Sequence, residues 1–169
     1  MELTDLENLS SNLGALLLEK KMFFTCAESC TGGLLSQSIV SVAGSSAWFG
    51  CSFITYSNYS KHKMLGVSKD SLKSYGAVSE EVVGEMVNGA LSESRANLGI
   101  AISGIAGPGG GSPERPVGTV CIAWKLNEGA EIKETFLFHG NRNEVRYRTV
   151  LKALEGAIDL LLSLIHISE

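Results

Sequence analysis

The sequence lacks several features that would assign it to common protein classes. Only four of its 169 residues are cysteines, and no C-x-x-C pair or His-x₃-His partner is present to form a zinc site. No apolar run is long enough to span a membrane, and charges interrupt the leucines near the start, unlike a signal peptide. These absences predict a reduced, cytoplasmic protein without metal, cofactor or membrane anchor.

Positive charge is also scarce. Fourteen Lys and Arg against eighteen Asp and Glu give a formal net charge of −4 and a sequence pI of about 5.4. A nucleic-acid-binding domain usually carries a basic face. Arg142, Arg146 and Arg148 form one local basic cluster, which could meet a phosphate but favours the interpretation of a solvated helix face. The sequence therefore argues against a nucleic-acid partner.

The overall composition is typical of a globular protein, with 44% hydrophobic residues. We interpret residues 1–169 as one domain. Helical periodicity follows residue 4, covers 32–42 and 61–74, and returns after residue 79 and toward the C-terminus. Short apolar runs predict strands at 23–27, 49–56, 98–102, 119–124 and 135–138. The order αβαβααβββα predicts an α/β fold, a three-layer α/β/α sandwich around a central mixed sheet.

One candidate nucleophile, Ser29, lies in the segment Ala-Glu-Ser-Cys-Thr-Gly-Gly at 27–33, between a predicted strand and a predicted helix. A serine there is exposed at the strand end, beside backbone N–H groups that can hold an oxyanion. The G-x-S-x-G motif is absent. Taken alone, the segment favours the other interpretation, in which Ser29 is the N-cap of the helix.

A serine nucleophile needs a base, and none of the three histidines, His62, His139 and His166, lies in a suitable setting. A lysine with a lowered pKa can replace histidine. Lys61 follows a predicted strand end, where side chains reach a shared cleft, and Tyr56 could orient it or relay a proton. Without further information, an ordinary surface charge is the favoured interpretation of Lys61.

A long segment rich in glycine and proline covers residues 104–118 and follows Ser103 at the end of a predicted strand. It matches neither a Walker A loop nor G-x-G-x-x-G. Its backbone N–H groups could wrap a phosphate, or the segment could be a long flexible turn.

Six motifs in order carry a family resemblance that none carries alone. They are AESCTGG at 27–33, AGSS at 43–46, TYSN at 55–58 with Lys61, YGAVS at 75–79, SGIAGP at 103–108 and PVGTV at 116–120. Together they resemble the CinA C-terminal domain family of nicotinamide mononucleotide deamidases, over residues from about 6 to 161.

The resemblance implies a layered α/β/α domain that hydrolyses the carboxamide of nicotinamide mononucleotide to nicotinate mononucleotide and ammonia, within pyridine-nucleotide recycling. It also implies a homodimer. The family's serine nucleophile falls on Ser29, and its tyrosine and lysine fall on Tyr56 and Lys61. A hydroxyl residue, commonly threonine in the family, falls on Ser103, and Arg115 stands where lysine usually precedes Pro-Val-Gly. Arginine keeps the charge but forms a fork instead of a point donor.

The resulting hypothesis is a metal-free serine acyl-enzyme. Lys61, alone or with Tyr56, takes the proton of Ser29. The residues expected to hold the oxyanion or the substrate are Cys30, Thr31, Gly32, Gly33, Ser45, Ser103, Gly104, Gly107, Gly109, Gly110 and Arg115. The phosphate candidates are Ser112, Arg115, Arg142 and the backbone of 107–111. The alternatives are a sensor that binds a pyridine nucleotide without hydrolysing it, and a competence- or damage-related interaction protein.

Overall fold

The computed structural model describes the backbone of residues 3–167 and the side chains of residues 5–164. Six α-helices and five strands follow the predicted order, except that two short helices stand where the order has one over residues 61–74. The helices are α1 (Leu3–Lys20), α2 (Leu34–Val40), α3 (Asn58–Leu65), α4 (Lys69–Tyr75), α5 (Glu80–Glu93) and α6 (Arg142–Ile167). The strands are β1 (Phe24–Glu28), β2 (Phe49–Ile54), β3 (Leu98–Gly104), β4 (Thr119–Leu126) and β5 (Glu131–Leu137).

The five strands form one mixed sheet in the order β2-β1-β3-β4-β5. Strand β1 pairs in parallel with β2 and with β3, while β4 runs antiparallel to both β3 and β5. Glu28 aligns with Ile54 on one side and with Ile102 on the other. The carboxyl ends of β1, β2 and β3 therefore meet at one edge of the sheet, where open α/β sheets place their ligands.

Helices cover both faces of the sheet, so the predicted three-layer sandwich is confirmed. Apolar residues of α1, α2 and α6 form one core with β1, β3 and β4, including Leu13, Leu35 and Leu154. Helix α5 and the short segments before it form the core on the other face, including Val83 and Met86. Strand β1 is buried along its whole length, which fits a central parallel strand.

Local capping moves two helix boundaries away from their predicted positions. Gly32 and Gly33 both have positive φ, which delays the start of α2 to Leu34. Ser57 and Ser60 form a capping box that starts α3 at Asn58, three residues before the predicted 61. Lys61 therefore lies in the middle of a helix instead of at its start.

Two predictions from the sequence concern membrane-spanning segments and the state of the cysteines. No helix within residues 3–167 is long and apolar enough to cross a membrane. All four cysteines are free thiols, and three of them are buried, as is typical of cysteine acting as a small apolar residue.

Candidate active site

A cavity of about 340 Å³ opens at the sheet edge where β1, β2 and β3 end. Its walls come from the turn after β1, the start of α3, the segment before α5, the glycine-rich loop and the first residue of α6. The lining residues are Ser29, Cys30, Tyr56, Asn58, Lys61, Ala77, Val78, Ser103, Gly104, Ile105, Ala106, Gly107, Gly109, Gly110 and Arg142. The cavity thus brings together residues from four of the six motifs.

Ser29 and Lys61 are in direct contact in this cavity. The Nζ atom of Lys61 donates a hydrogen bond of 2.8 Å to Oγ of Ser29. Nζ also lies 2.8 Å from the carbonyl oxygen of Thr55 and 3.3 Å from that of Tyr56. Only 1% of Lys61 is exposed, so its interpretation as a surface charge is wrong. Lys63, two residues further on, is the exposed lysine of this helix.

Burial changes the ionisation of the two groups next to Ser29. Desolvation lowers the pKa of Lys61 from 10.5 to about 8, because a buried ammonium loses its hydration. Desolvation likewise raises the pKa of the Cys30 thiol to about 12, although Arg146 acts in the opposite direction. At neutral pH Cys30 is therefore an uncharged thiol, while Lys61 can lose its proton to act as a base.

The side chain that caps α2 is Glu28, not Ser29. Its buried carboxylate accepts hydrogen bonds from the N–H groups of Gly33, Leu35 and Ser36, at 3.2, 3.0 and 2.9 Å. It also accepts hydrogen bonds from two hydroxyl groups, those of Thr31 and Ser36. The N-cap interpretation of Ser29 is wrong because this carboxylate already satisfies the helix start, which leaves the Ser29 hydroxyl to Lys61.

The same contacts reduce the set of predicted oxyanion donors. The N–H of Gly32 donates to the carbonyl oxygen of Ser29 at 3.0 Å, and that of Gly33 donates to Glu28. Both are therefore occupied, and neither glycine lines the cavity. Within the described chain, no acceptor is found for the N–H of Cys30 or for that of Thr31. Thr31 is fully buried and does not line the cavity, so the donor that this turn leaves for an oxyanion there is the N–H of Cys30.

Tyr56 reaches Lys61 through its main chain instead of its phenol. Its carbonyl oxygen accepts from Lys61 Nζ, while its hydroxyl group hydrogen-bonds Nη2 of Arg142 at 3.2 Å. The ring is 64% exposed at the cavity mouth. The contact between Tyr56 and Lys61 is made by a backbone carbonyl, and no hydrogen bond of the phenol to Ser29 or Lys61 is present among the described residues.

The far wall of the cavity comes from the end of β3 and the loop after it. Ser103 is buried, and no hydrogen bond of its hydroxyl is described within residues 5–164, so it is available to a ligand. A Cβ atom on Gly104 would lie 2.7 Å from Val120 and 3.1 Å from the sulfur of Cys30. Glycine at position 104 therefore lets β3 pack closely against the turn that carries Ser29.

Three predicted contact residues lie elsewhere. Ser45 is buried in a short 3₁₀ turn before β2, and it does not line the cavity. The guanidinium of Arg115 donates to the carbonyl oxygen of Tyr75, which ties the glycine-rich loop to the end of α4. Ser112 is exposed and accepts a hydrogen bond from the N–H of Arg115. None of the three touches the cavity.

Of the histidines, His62 accepts or donates a hydrogen bond with the carbonyl of Val67, and neither it nor His139 lines the cavity. The side chain of His166 lies outside the described residues. A histidine base therefore has no structural support within residues 5–164.

Sequence reasoning missed the roles of two residues here. Glu28 was part of a quoted motif, but a carboxylate that ends a buried strand and precedes a glycine turn is the signal of a helix cap. Arg142 was named only as a phosphate candidate. It donates to the carbonyl oxygen of Gly107 at 2.7 Å and holds a positive charge at the cavity mouth.

Comparison with known proteins finds a matching family model and named relatives. The family model of the CinA C-terminal domain matches residues 6–161. A protein from Enterobacter agglomerans named nicotinamide-nucleotide amidohydrolase PncC is 48% identical over 153 residues, covering 90% of this chain and 93% of its own. The protein of the same name from Escherichia coli K12 is 47% identical, covering 90% of this chain and 92% of its own.

Solved structures agree with the fold. The crystal structure of the competence/damage inducible protein CihA from Agrobacterium tumefaciens has a TM-score of 0.90 at 42% identity, covering 92% of this chain and 95% of that one. Because the family model spans most of the sequence, and relatives well above 30% identity align over nearly their whole length, the chain belongs to the CinA C-terminal domain family.

Proposed function

We propose that this protein is a serine amidohydrolase that converts nicotinamide mononucleotide to nicotinate mononucleotide and ammonia. The observation that carries the proposal is the 2.8 Å contact between Nζ of the buried Lys61 and Oγ of Ser29 in an open cavity. The names of the relatives from Enterobacter agglomerans and Escherichia coli supply the substrate.

The partners of Lys61 suit a neutral amine. A neutral amine has two N–H donors and one lone pair, and Nζ faces two carbonyl oxygens, of Thr55 and Tyr56, and one hydroxyl, of Ser29. The carbonyls can take both N–H groups, so the lone pair is left for the Ser29 proton. No hydrogen bond from Nζ to a carboxylate is described, so no ion pair with a carboxylate raises the pKa of Lys61 that burial lowers.

The chemical steps follow from this arrangement. Oγ of Ser29 forms a bond to the carboxamide carbon while its proton moves to Lys61, and the carbonyl electron pair moves onto oxygen. The carbon–nitrogen bond then breaks, and Lys61 returns the proton to the leaving nitrogen, which departs as ammonia. Water attacks the resulting ester, gives a proton to Lys61, and displaces Ser29, which recovers that proton.

Charge and hydrogen bonding favour attack on this carbonyl. The positive pyridinium ring withdraws electrons from the carboxamide. The N–H group of Cys30, which lines the cavity, holds the oxyanion, such a donor contributing about 3 kcal/mol in comparable sites. The unpaired hydroxyl of Ser103 faces the same cavity and holds the substrate.

The phosphate of the substrate has one strong candidate partner in the cavity. Arg142 is an arginine that lines it, and Gly109 and Gly110 line it as well. A guanidinium and backbone N–H groups are complementary to a phosphate. Ser112 and Arg115, the other two candidates, lie outside the cavity.

A homodimer in a reducing, cytoplasmic compartment completes the proposal. Free thiols at all four cysteines suit such a compartment. Large apolar side chains on the surface, Ile54, Tyr59 and Leu162 among them, suit a partner subunit. Light scattering on the eluting protein tests the dimer directly, and a monomeric mass would contradict it.

The test of the function is ammonia release from nicotinamide mononucleotide by protein treated with a chelator, with Ser29→Ala alongside. Release by the wild type alone supports the proposal. No release from either protein contradicts it and favours the sensor, which binding of the nucleotide to the wild type would then establish.

A further inference from the structure

A hydrogen-bonded bridge lies at the mouth of the cavity and has Arg142 at its centre. Nη2 of Arg142 donates to the hydroxyl oxygen of Tyr56 at 3.2 Å, and Nη1 donates to the carbonyl oxygen of Gly107 at 2.7 Å. Tyr56 and Arg142 are 86 residues apart in the sequence, and all three residues line the cavity. The bridge therefore joins the segment after β2, the start of α6 and the glycine-rich loop around one guanidinium group.

The start of α6 is an unusual place for a cation. Arg142 is the first residue of this helix, where the partial positive charge of the helix N-terminus disfavours a positive side chain. Glu144, the acidic residue of the same turn, accepts a hydrogen bond from the N–H of Asn141. The guanidinium and the helix N-terminus together favour an anion at the cavity mouth.

The bridge leaves Arg142 able to bind that anion. A guanidinium is planar and has five N–H donors, of which the described hydrogen bonds use two, one on each Nη atom. Acceptors on two different nitrogen atoms fix the orientation of the plane, and three donors remain for a ligand.

The hydroxyl of Tyr56 has no other described partner. Within residues 5–164, its only hydrogen bond is the one from Arg142, while the carbonyl oxygen of Tyr56 accepts from Nζ of Lys61. Tyr56 thus contacts the base through its main chain and the guanidinium through its side chain. Removal of the hydroxyl alone leaves the contacts of Lys61 in place.

We propose that Tyr56 is a positioning residue for substrate binding, whose hydroxyl holds the guanidinium of Arg142 in the orientation that receives the phosphate of the nucleotide. This inference rests on the function proposed above, in which Arg142 binds the phosphate. An arginine that is already held loses less side-chain freedom when the ligand arrives. The bridge therefore acts on affinity, and the chemical step at Ser29 is unaffected.

The experiment measures ammonia release by Tyr56→Phe from nicotinamide mononucleotide and from nicotinamide riboside, which has no phosphate. Phenylalanine keeps the ring and the main-chain carbonyl. We expect KM for the mononucleotide to rise about threefold to tenfold, the usual effect of one hydrogen bond. The kcat should stay within about threefold, and KM for the riboside should be unchanged. The control is Tyr75→Phe, at an exposed position outside the cavity, which should match the wild type with both substrates.

A double-mutant cycle shows whether the hydroxyl acts through Arg142. In an Arg142→Met background, Tyr56→Phe should change KM for the mononucleotide by less than about 1.5-fold, because the group that the hydroxyl positions is absent. An equal rise of KM in both backgrounds would show that the hydroxyl contacts the substrate itself. An equal rise for both substrates, an unchanged KM in the single variant, or a loss of kcat of about a hundredfold would also overturn the inference.

Binding of nicotinamide mononucleotide to Ser29→Ala protein separates this inference from the proposed function, because it is measured without turnover. Titration calorimetry should show the same rise in Kd when Tyr56→Phe is added to Ser29→Ala. If Kd rises but the wild type releases no ammonia, the amidohydrolase function is wrong and the role of Tyr56 stands. If the wild type releases ammonia and Tyr56→Phe equals it in KM, only the role of Tyr56 is wrong. If the nucleotide does not bind, both are wrong.

Discussion

The carboxylate of Glu28 accepts a hydrogen bond of 3.0 Å from the N–H of Leu35, so the last residue of β1 caps the helix that follows it. This contact spans the turn that contains Ser29. Since Arg146 holds the same turn through two carbonyl oxygens, the nucleophile lies on backbone fixed from both sides. A fixed nucleophile loses no orientational freedom when the substrate binds.

Replacement of Glu28 by alanine should destabilise the protein by about 2–4 kcal/mol, because its removal leaves several buried N–H and O–H donors without an acceptor. Urea unfolding of Glu28→Ala against the wild type measures the change. The matched control is Glu19→Ala, at an exposed position of α1, which should stay within about 0.5 kcal/mol. Equal stability of Glu28→Ala and the wild type would refute the capping role.

The rate of ammonia release should rise with pH because only neutral Lys61 can accept the Ser29 proton. The pKa of Lys61 is lowered to about 8, so kcat/KM should increase about tenfold per pH unit below that value and level off above it. Steady-state rates from pH 6 to pH 9.5 measure the profile. A rate that falls over this range would mean that the protonated lysine is the active form.

Replacement of Lys61 by methionine should lower kcat by about 10²–10⁴-fold, the usual contribution of a general base. Lys61→Arg should be equally impaired, since a guanidinium stays charged. The matched control is Lys63→Met on the exposed face of the same helix, which should keep wild-type turnover.

Lys61→Met should also change how stability depends on pH. The folded pKa of about 8 lies below the ordinary 10.5, so between these values the unfolded chain binds more protons than the folded one. The wild type therefore gains stability relative to Lys61→Met as pH rises from about 8 to 10.5, by up to about 1.4 kcal/mol per unit. Urea unfolding of both proteins at pH 7.5 and 9.5 measures this difference, and a constant difference would show that folding does not lower the pKa of Lys61.

Replacement of Tyr56 by phenylalanine should leave kcat within about threefold of wild type, because the main-chain carbonyl that holds Lys61 remains. A loss of a hundredfold would instead identify the phenol as a proton relay.

Arg142→Met should raise KM for nicotinamide mononucleotide about tenfold or more, since a charged hydrogen bond to phosphate is lost. With nicotinamide riboside, which has no phosphate, Arg142→Met and the wild type should have the same KM.

The sequence predicts the layers, the order of elements and the edge where the site lies, because periodicity and strand ends report on these directly. It predicts the partnership of Ser29 and Lys61 only through the combined motifs, because periodicity cannot show that Lys61 is buried. That burial depends on Ser57 starting α3 early, which turns Lys61 inward.

The oxyanion donors show a second limit. Residues 30–33 all have N–H groups near Ser29 in sequence, but which of them remain free depends on long-range contacts. The carboxylate of Glu28 accepts the hydrogen bond of the Gly33 N–H. The guanidinium of Arg146, 115 residues away from Thr31 in the sequence, donates to the carbonyl oxygens of Cys30 and Thr31. The predicted position of Arg115 at the substrate was wrong for a related reason. A charged residue beside a motif in the sequence does not reveal which side of the loop its side chain faces.

Rapid mixing of the wild type with excess nicotinamide mononucleotide, followed by acid quench, peptide digestion and mass spectrometry, tests the serine mechanism most directly. The account predicts a nicotinate mononucleotide acyl group on Oγ of Ser29, an ammonia burst stoichiometric with enzyme when deacylation is slow, and neither in Ser29→Ala. Ammonia release at the wild-type rate by Ser29→Ala would contradict it.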